Sequence, residues 1–401
     1  MNYYMNSFAI YTLGCKVNSC DSENLCKKLC EIGLKQVGFE KISDLYIINT
    51  CTVTHTSDKK SMQIIRRAKR LNDKAIIAVC GCMKNVQADF IFDAREPDDF
   101  INMIKNKFNL IKKEYYNKSR TRTFIKIQDG CDRFCAYCIV PYVRGMIKSK
   151  DLNAIKNEIN ENTKEIVLTG IQIASYGRDL KNINFNTLLE QLAKEYPIRI
   201  RISSIDPQAI NDDFLRIIDT YRHICSHFHI SLQSGCDKTL IKMNRRYTTR
   251  QYEKIVNDLR LIRPDMALTT DIMAGFPGET DEDFNDSLSF IKSINFSDIH
   301  VFSFSKRKGT KAYDLPNQVP ENIKTQRKKQ LLELKNICHK NFYNAQIGKT
   351  MPVLFENEYG LTENYVKVRI ADTNNLQNKI KYINLLSLKD NYLEGEIIKE
   401  I

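Results

Sequence analysis

Lys126-Ile-Gln-Asp-Gly-Cys131-Asp-Arg-Phe-Cys135-Ala-Tyr-Cys138-Ile-Val-Pro141-Tyr-Val-Arg144-Gly145 is the stretch on which the reading of this chain turns. It sets three cysteines at C-x-x-x-C-x-x-C spacing on an expected loop. Gly130 opens the loop, and Pro141 is expected to prevent a helical exit from it. Three thiolates this close in sequence can converge on one small metal core. A structural zinc site wants a fourth ligand that closes it, and no other Cys or His lies within ten residues on either side. A 4Fe–4S cluster held by three cysteines leaves one iron free for another ligand. A zinc knuckle borrowing a distant ligand, or three unrelated cysteines, are the alternatives.

Around this loop, the chain alternates apolar strands with helices. From residue 122 the expected strands are 123–128, 164–169, 199–203, 227–232, 267–273 and 299–304, with helices such as 152–161, 209–222, 249–262 and 281–293 between them. Six βα repeats predict an open, partial barrel, whose active face is the rim at the C-terminal strand ends. The cysteine loop follows the first strand and so belongs to that rim. Strand ends carry polar groups there: Gln128-Asp129, Thr169-Gly170, Ser203-Ser204, Gln233-Ser234 and Asp271. His229 and His300, in apolar strands, read as satisfied core residues.

Upstream, 7–13, Leu45–Thr50 and 75–79 read as strands, with helices over 20–32 and from a Ser57 cap to about Arg70. This predicts a small parallel α/β domain. Downstream, 321–345 reads as one long basic helix, taken as a solvated strut rather than an RNA-facing surface. Beyond it, short strands at 351–355, 365–370, 380–383 and 393–398 predict a small antiparallel β-barrel. The expected fold class is therefore α/β, with domains 1–110, 117–346 and 347–401 and a linker over 105–121.

The chain has 401 residues and 42% hydrophobic content, enough for several domains with a large core. No apolar run approaches bilayer length. The opening residues show no secretory pattern, so a cytoplasmic location is expected. Thirteen cysteines then argue for metal binding rather than a disulfide framework. The net charge is +13, from 61 Lys+Arg against 48 Asp+Glu, which points to a polyanion such as nucleic acid, or to solvated lysines. Basic residues cluster: Lys59, Lys60, Arg66, Arg67, Lys69 and Arg70 stand with no acid among them. A second cluster holds Lys105, Lys107, Lys112, Lys113, Lys118, Arg120 and Arg122 against Glu114.

A second cysteine constellation lies in the first domain. Cys15, Cys51 and Cys82 each fall in a turn just past a strand end, where a parallel sheet presents its ligand site. Three such thiols can hold another cluster with an open iron, or be ordinary buried cysteines. Cys80 competes with Cys82 for the third place. Cys20, Cys26 and Cys30 read as structural helix residues.

Several motifs together resemble the radical S-adenosylmethionine (SAM) methylthiotransferase family over nearly the whole chain. They are the cysteine loop with Tyr137, Thr12-Leu-Gly-Cys-Lys-Val-Asn18, Asn49-Thr-Cys-Thr-Val-Thr54 and Val79-Cys-Gly-Cys82. In the barrel they are Ile166-Val-Leu-Thr-Gly170, His229-Ile-Ser-Leu-Gln-Ser-Gly235, Met243-Asn-Arg-Arg-Tyr-Thr248, Gly275-Phe-Pro-Gly-Glu279 and His300-Val-Phe-Ser-Phe-Ser-Lys-Arg307. The Val79–Cys82 motif favours Cys82 over Cys80, and the C-terminal barrel is similar to a TRAM domain, an RNA-binding module. The Thr12–Asn18 and Asn49–Thr54 motifs look like the branch acting on N6-threonylcarbamoyladenosine in tRNA. The branch acting on isopentenyladenosine usually has Gln-Met where Lys16-Val17 stands here, and a ribosomal-protein branch also differs around its second cysteine.

The resemblance implies two 4Fe–4S clusters, on Cys131, Cys135 and Cys138 and on Cys15, Cys51 and Cys82, with SAM bound at the first. One electron, from a donor such as flavodoxin or ferredoxin, cleaves SAM, and the resulting radical removes hydrogen from the adenine 2-carbon. The second cluster holds the sulfur, and a second SAM supplies the methyl. SAM contacts are expected from Gly170, Ser203, Gln233 and Arg245, with Gly275–Glu279 closing over the adenine. The partner implied is the tRNA anticodon loop, with no membrane. Two features depart from the pattern. Residues 349–401 hold seven Lys+Arg and eight Asp+Glu, near neutral for an RNA-binding module. Cys236 stands where Ser is usual. Methylthiolation of isopentenyladenosine or of a ribosomal-protein side chain, and a zinc-dependent nucleic-acid-binding protein, are the other readings.

Overall fold

The computed structural model describes residues 4–83, 85–110 and 121–398. Its first sheet is parallel throughout, in the order Lys35–Gln36, Ser7–Thr12, Leu45–Thr50, Ile76–Gly81, Phe90–Ile91. The central strand Leu45–Thr50 is buried at every position, which is why its sequence is continuous and apolar rather than alternating. Ile47 and Ala78 pack on one face against Leu25, Leu29 and Phe100. Tyr46, Ile48, Ile77 and Val79 pack on the other against Ile64, Ile65 and Ala68. The sheet is thus covered on both sides.

The first helix, Lys16–Glu31, starts earlier than expected, with Cys15 as its N-cap. The second, His55–Leu71, is capped by Thr54, whose hydroxyl accepts from Ser57 N at 3.1 Å, so Ser57 is a donor and not the cap. Cys80 lies within the third strand. Helix Asp98–Lys107 and strand Asn109–Leu110 occupy the start of the expected linker. Its remainder, with Lys112, Lys113, Lys118 and Arg120, lies outside the described residues.

Six strands then build the open barrel: Thr123–Asp129, Glu165–Gly170, Arg199–Ile202, His227–Ile230, Ala267–Ala274 and Asp298–Ser303. The third resumes as Ser204–Ile205 beyond Ser203, where the sheet divides in two. Pairing is parallel, apart from the short edge strand Lys148–Ser149. Outward-facing residues such as Phe228, Ile230, Leu268, Ile272 and Ile299 form one core with the surrounding helices. Pro141 lies in the first turn of a short helix, Val140–Arg144. A proline there gives up an N–H that has no partner anyway, so Pro141 starts a helix instead of preventing one.

The long helix is Glu321–Asn344. Its Lys324 and Arg327 are only 5% exposed, which corrects the expectation of a solvated strut at that end. Arg327 holds Glu279 at 2.8 Å, and Glu279 accepts from Gly275 N at 2.7 Å, so the helix clamps the Gly275–Glu279 turn. The C-terminal barrel closes with five strands, one more than expected: Thr350–Phe355, Gly360–Thr362, Lys367–Arg369, Ile380–Lys389 and Tyr392–Ile397. It docks through buried arginines. Arg199 donates to the carbonyls of Leu361 and Pro352, and Arg201 to those of Thr362 and Glu363. Among the described residues, no helix is long and apolar enough to cross a membrane.

Candidate active site: two cysteine triads on one interface

The cysteine loop is closed at its base by a glycine pair. Cys131 N donates to Gly145 O at 3.0 Å. Gly130 has φ +72, and a Cβ there would sit 1.8 Å from Met146 O, so the close approach admits only glycine. Gln128 secures the entry, donating to the carbonyls of Asp129 and Gly130 and accepting from Gln172 N. Within the loop, Cys138 N donates to Cys135 O at 2.9 Å and Arg133 N points at Cys131 Sγ. Burial pushes the Cys138 thiol up to about 12, and the neighbouring Cys135 and Cys131 add to that. Burial likewise raises Cys131.

The second triad forms where three strand ends of the first sheet meet. Gly14 has φ +101, and a Cβ on it would meet Cys51 Cβ at 3.0 Å, so the Cys15 turn lies directly on Cys51. Cys82 N donates to Thr50 O. Gly81 has φ +91, and a Cβ there would be 2.4 Å from Thr50 O. Burial raises the Cys82 thiol against the opposing pull of Arg144, while Cys51 and Cys15 lie near enough to raise it further. Cys80 is 1% exposed and sits in the apolar core with Leu25, Ala78 and Phe100. Burial drives the Cys20 and Cys26 thiols up to about 12. Cys236 caps a short helix and contacts Asp283 at 3.5 Å, with no approach to either triad among the described contacts.

Arg144 joins the two triads. Its guanidinium donates to both oxygens of Asp129, to Asn18 Oδ1 at 3.0 Å and to Asp21 Oδ2 at 3.2 Å. Asn18 Oδ1 also accepts from the Cys15 thiol at 3.3 Å. Burial opposes the Asp129 carboxylate, but Arg144 and Lys126 outweigh it and hold its pKa below the ordinary carboxylate range. Asp129 and Arg144 bracket the cysteine loop in sequence, so one ion pair fixes the loop and faces the second triad. Across the rim, Arg307 contacts Asp58 and Thr52, and His55 N donates to Ser305 Oγ.

The donor sets fit iron–sulfur clusters better than zinc. Among the described residues, one trio of His, Cys, Asp or Glu brings its ligand atoms within 4.8 Å of one another, and it is His229, Asp271 and His300. Neither cysteine triad is that tight, whereas thiolates on one tetrahedral zinc would be about 3.8 Å apart from Zn–S bonds of about 2.3 Å.

The other expected residues are placed as follows. Gly170 ends its strand 2.8 Å (from a built Cβ) from Gln128 O. Ser203 is buried and its hydroxyl has no hydrogen-bond partner among the described residues. Gln233 adopts φ +71 and bridges to the Asp271–Met273 strand through its backbone. Arg245 reaches Cys135 Sγ at 3.5 Å, Ser231 O at 3.1 Å and Asp206 Oδ2 at 3.5 Å. Phe276 of the Gly275–Glu279 turn packs edge-on to Tyr137 in the cysteine loop. His300 is not a core residue: its side chain is 52% exposed, and it shares Asp271 with His229. Lys59, Lys60, Arg66, Arg67, Lys69 and Arg70 are all exposed. So are Phe134 (φ +46) and Tyr142, which pack edge to face on the cysteine loop. From sequence, Asp129 and Arg144 were candidates for shaping the loop and nothing firmer, and Asn18 was missed. Their signal was position: each adjoins a cysteine motif.

Residues 7–102 match the uncharacterized protein family UPF0004, and residues 125–291 match the radical SAM superfamily. The chain is 35% identical to the threonylcarbamoyladenosine tRNA methylthiotransferase MtaB of Bacillus subtilis (strain 168), covering 99% of this chain and 97% of that one. It is 37% identical to the MtaB of Aquifex aeolicus (strain VF5), over 90% and 96%. It is 36% identical to the tRNA-2-methylthio-N(6)-dimethylallyladenosine synthase of Clostridium tetani (strain Massachusetts / E88), over 98% and 92%. The solved radical SAM methyltransferase TsrM from Kitasatospora setae shares the fold, with TM-score 0.55, 12% identity, and 82% and 85% of the two chains covered. Near-full-length identity of this level, together with two cysteine triads joined across one interface, leads to one conclusion: the chain belongs to the radical SAM methylthiotransferase family.

Proposed function

We propose that this enzyme adds a methylthio group to the 2-carbon of N6-threonylcarbamoyladenosine beside the tRNA anticodon. Cys131, Cys135 and Cys138 would hold one 4Fe–4S cluster, and Cys15, Cys51 and Cys82 a second. The observation that carries this reading is Arg144, which ties the first loop to the second triad. A radical source joined to a second cluster site is what sulfur insertion requires. When bound, these groups supply reductive cleavage of SAM at the first triad and the sulfur at the second.

The rest falls to the chain's own residues. The thiols of Cys131, Cys138 and Cys82 are raised by burial, and a bound metal cation would favour their ionised form. Gly170, Ser203, Gln233 and Arg245 are assigned to SAM, with the orphaned Ser203 hydroxyl as the best-supported contact. The exposed basic face of His55–Leu71 is assigned to tRNA phosphates in preference to the near-neutral C-terminal barrel. Phe134 and Tyr142 offer stacking faces for an unstacked base at the rim. A flavodoxin- or ferredoxin-type protein would supply the electron.

The substrate assignment draws on Lys16-Val17 and on the names of the relatives above. A second reading, isopentenyladenosine, is kept because a relative named for dimethylallyladenosine is 36% identical over 98% of this chain. The test is mass spectrometry of tRNA nucleosides from cells lacking this gene. Loss of methylthiolated threonylcarbamoyladenosine is expected. If it persists and methylthiolated isopentenyladenosine disappears, the second reading holds.

A further inference from the structure

We propose that Lys16 and His300 form the subsite that recognises the threonine group of the substrate base, Lys16 receiving its carboxylate and His300 its hydroxyl. The inference rests on the threonylcarbamoyladenosine reading above and names the residues that would enforce it.

Lys16 follows Cys15 at the start of the first helix and is half-buried. Charged and titratable groups around it include Tyr365, Arg201, Arg122, Glu165 and His227. These neighbours are already paired. Arg201 holds Glu165 through two hydrogen bonds, at 2.7 and 3.2 Å. Arg122 holds Glu356 at 2.8 Å and the Tyr365 hydroxyl at 3.4 Å. The Lys16 ammonium has no hydrogen-bond or ion-pair partner among the described residues. A half-buried cation beside two arginines, with its one acidic neighbour engaged, is balanced by an anion from outside.

His300 supplies a second polar point inside the same barrel. Asp271 lies level with His300 in the strand register, and its two oxygens take His300 Nδ1 and His229 Nε2, each at 3.3 Å. His229 Nδ1 is used by Thr269 at 3.0 Å, whereas His300 Nε2 has no partner among the described residues. With Nδ1 engaged by Asp271, His300 leaves Nε2 to meet a hydroxyl group, which can donate or accept. Lys16 and His300 both lie near His227, whose ring stacks on Tyr365 at 4.6 Å, and the His300 ring lies 5.2 Å from that of His229. An isopentenyl group has no anion and no hydroxyl to engage either residue.

The test uses reconstituted full-length holoenzyme and three anticodon stem-loop RNAs. They carry threonylcarbamoyladenosine, its neutral threonine-amide analogue, or isopentenyladenosine. Wild type is expected to favour the acid over the amide by about tenfold in kcat/KM. Lys16→Gln should lose about that factor on the acid and little on the amide, with iron content and SAM cleavage retained, and Lys16→Arg should restore part of it. His300→Phe should raise KM on both threonine substrates. Equal wild-type rates on acid and amide would overturn the subsite without any variant. So would a Lys16→Gln enzyme with an unchanged acid-to-amide ratio. Modification of the isopentenyl RNA alone by wild type would instead defeat the functional reading on which the subsite depends.

Discussion

Arg144 Nη1 donates to both carboxylate oxygens of Asp129, at 3.0 and 2.8 Å, from opposite ends of the cysteine loop. Both side chains are buried, and the same guanidinium reaches Asn18 and Asp21 in the first domain. One residue therefore sets the loop's shape and its seat against the second triad.

Removing that guanidinium leaves Asp129 and Asp21 buried with Lys126 as their remaining cation. Arg144→Gln should destabilise the protein by about 3–5 kcal/mol, the usual effect of breaking a buried pair from one side. Adding Asp129→Asn should recover part of the loss, since the uncompensated charge goes with it. Denaturant unfolding of the two single variants and the double variant checks this, and strictly additive losses would count against the pairing.

Gly81 and the Cys80/Cys82 choice can be tested by counting iron. Wild type should bind about eight irons per chain, and Cys82→Ala about four. Cys80→Ser should keep all eight, because Cys80 lies in the core. Gly81→Ala should fall toward four as well, since its Cβ would collide with Thr50 O and push Cys82 out of place. Anaerobic reconstitution followed by iron and sulfide analysis gives the numbers. Iron loss in the Cys80 variant would reverse the ligand assignment.

The pH dependence of stability should carry the mark of His227. Burial, with Arg201 and Lys16 nearby, holds its folded-state pKa well below the ordinary value of 6.5. The unfolded chain then binds a proton that the folded chain refuses, so this contribution to stability falls as pH drops below about 6.5. His227→Gln should flatten the slope of unfolding free energy between about pH 6.5 and 5. An unchanged slope would show that His227 is not the titrating group.

Tyr365 is the point at which the C-terminal barrel enters the larger one. Its ring stacks on His227 at 4.6 Å and lies 4.7 Å from the Arg201 guanidinium. Contacts of this kind are worth about 1 kcal/mol each. Tyr365→Ala should therefore loosen the docking by about 2 kcal/mol and speed proteolytic release of the C-terminal barrel at least several-fold. Equal cleavage rates in variant and wild type would assign the docking to the Arg199 and Arg201 backbone contacts alone.

The strands of the first sheet and of the open barrel were legible because each is an apolar run closed by a polar turn, a pattern written in local sequence. Leu45–Thr50 and Thr123–Asp129 fall within a residue of their expected bounds for this reason. Helix starts were less legible. A cap is decided by one hydrogen bond, and Thr54 and Ser57 compete for it within a single turn.

The cysteine spacings and their place after strand ends pointed to two triads, since a parallel sheet gathers its turns at one edge. Spacing could not show that Cys80 packs into the apolar core while Cys82 turns toward Cys51 and Cys15. That follows from Cys80 lying inside the strand, whereas Gly81, with φ +91, ends the strand and turns the chain before Cys82. Nor could it show that Arg144 would meet Asn18, 126 residues away, or that Lys324 and Arg327 would be buried. Local periodicity encodes which face of an element is apolar. Which charges meet across elements depends on how the finished layers stack, and that is decided only when the first domain and the C-terminal barrel close on the barrel between them.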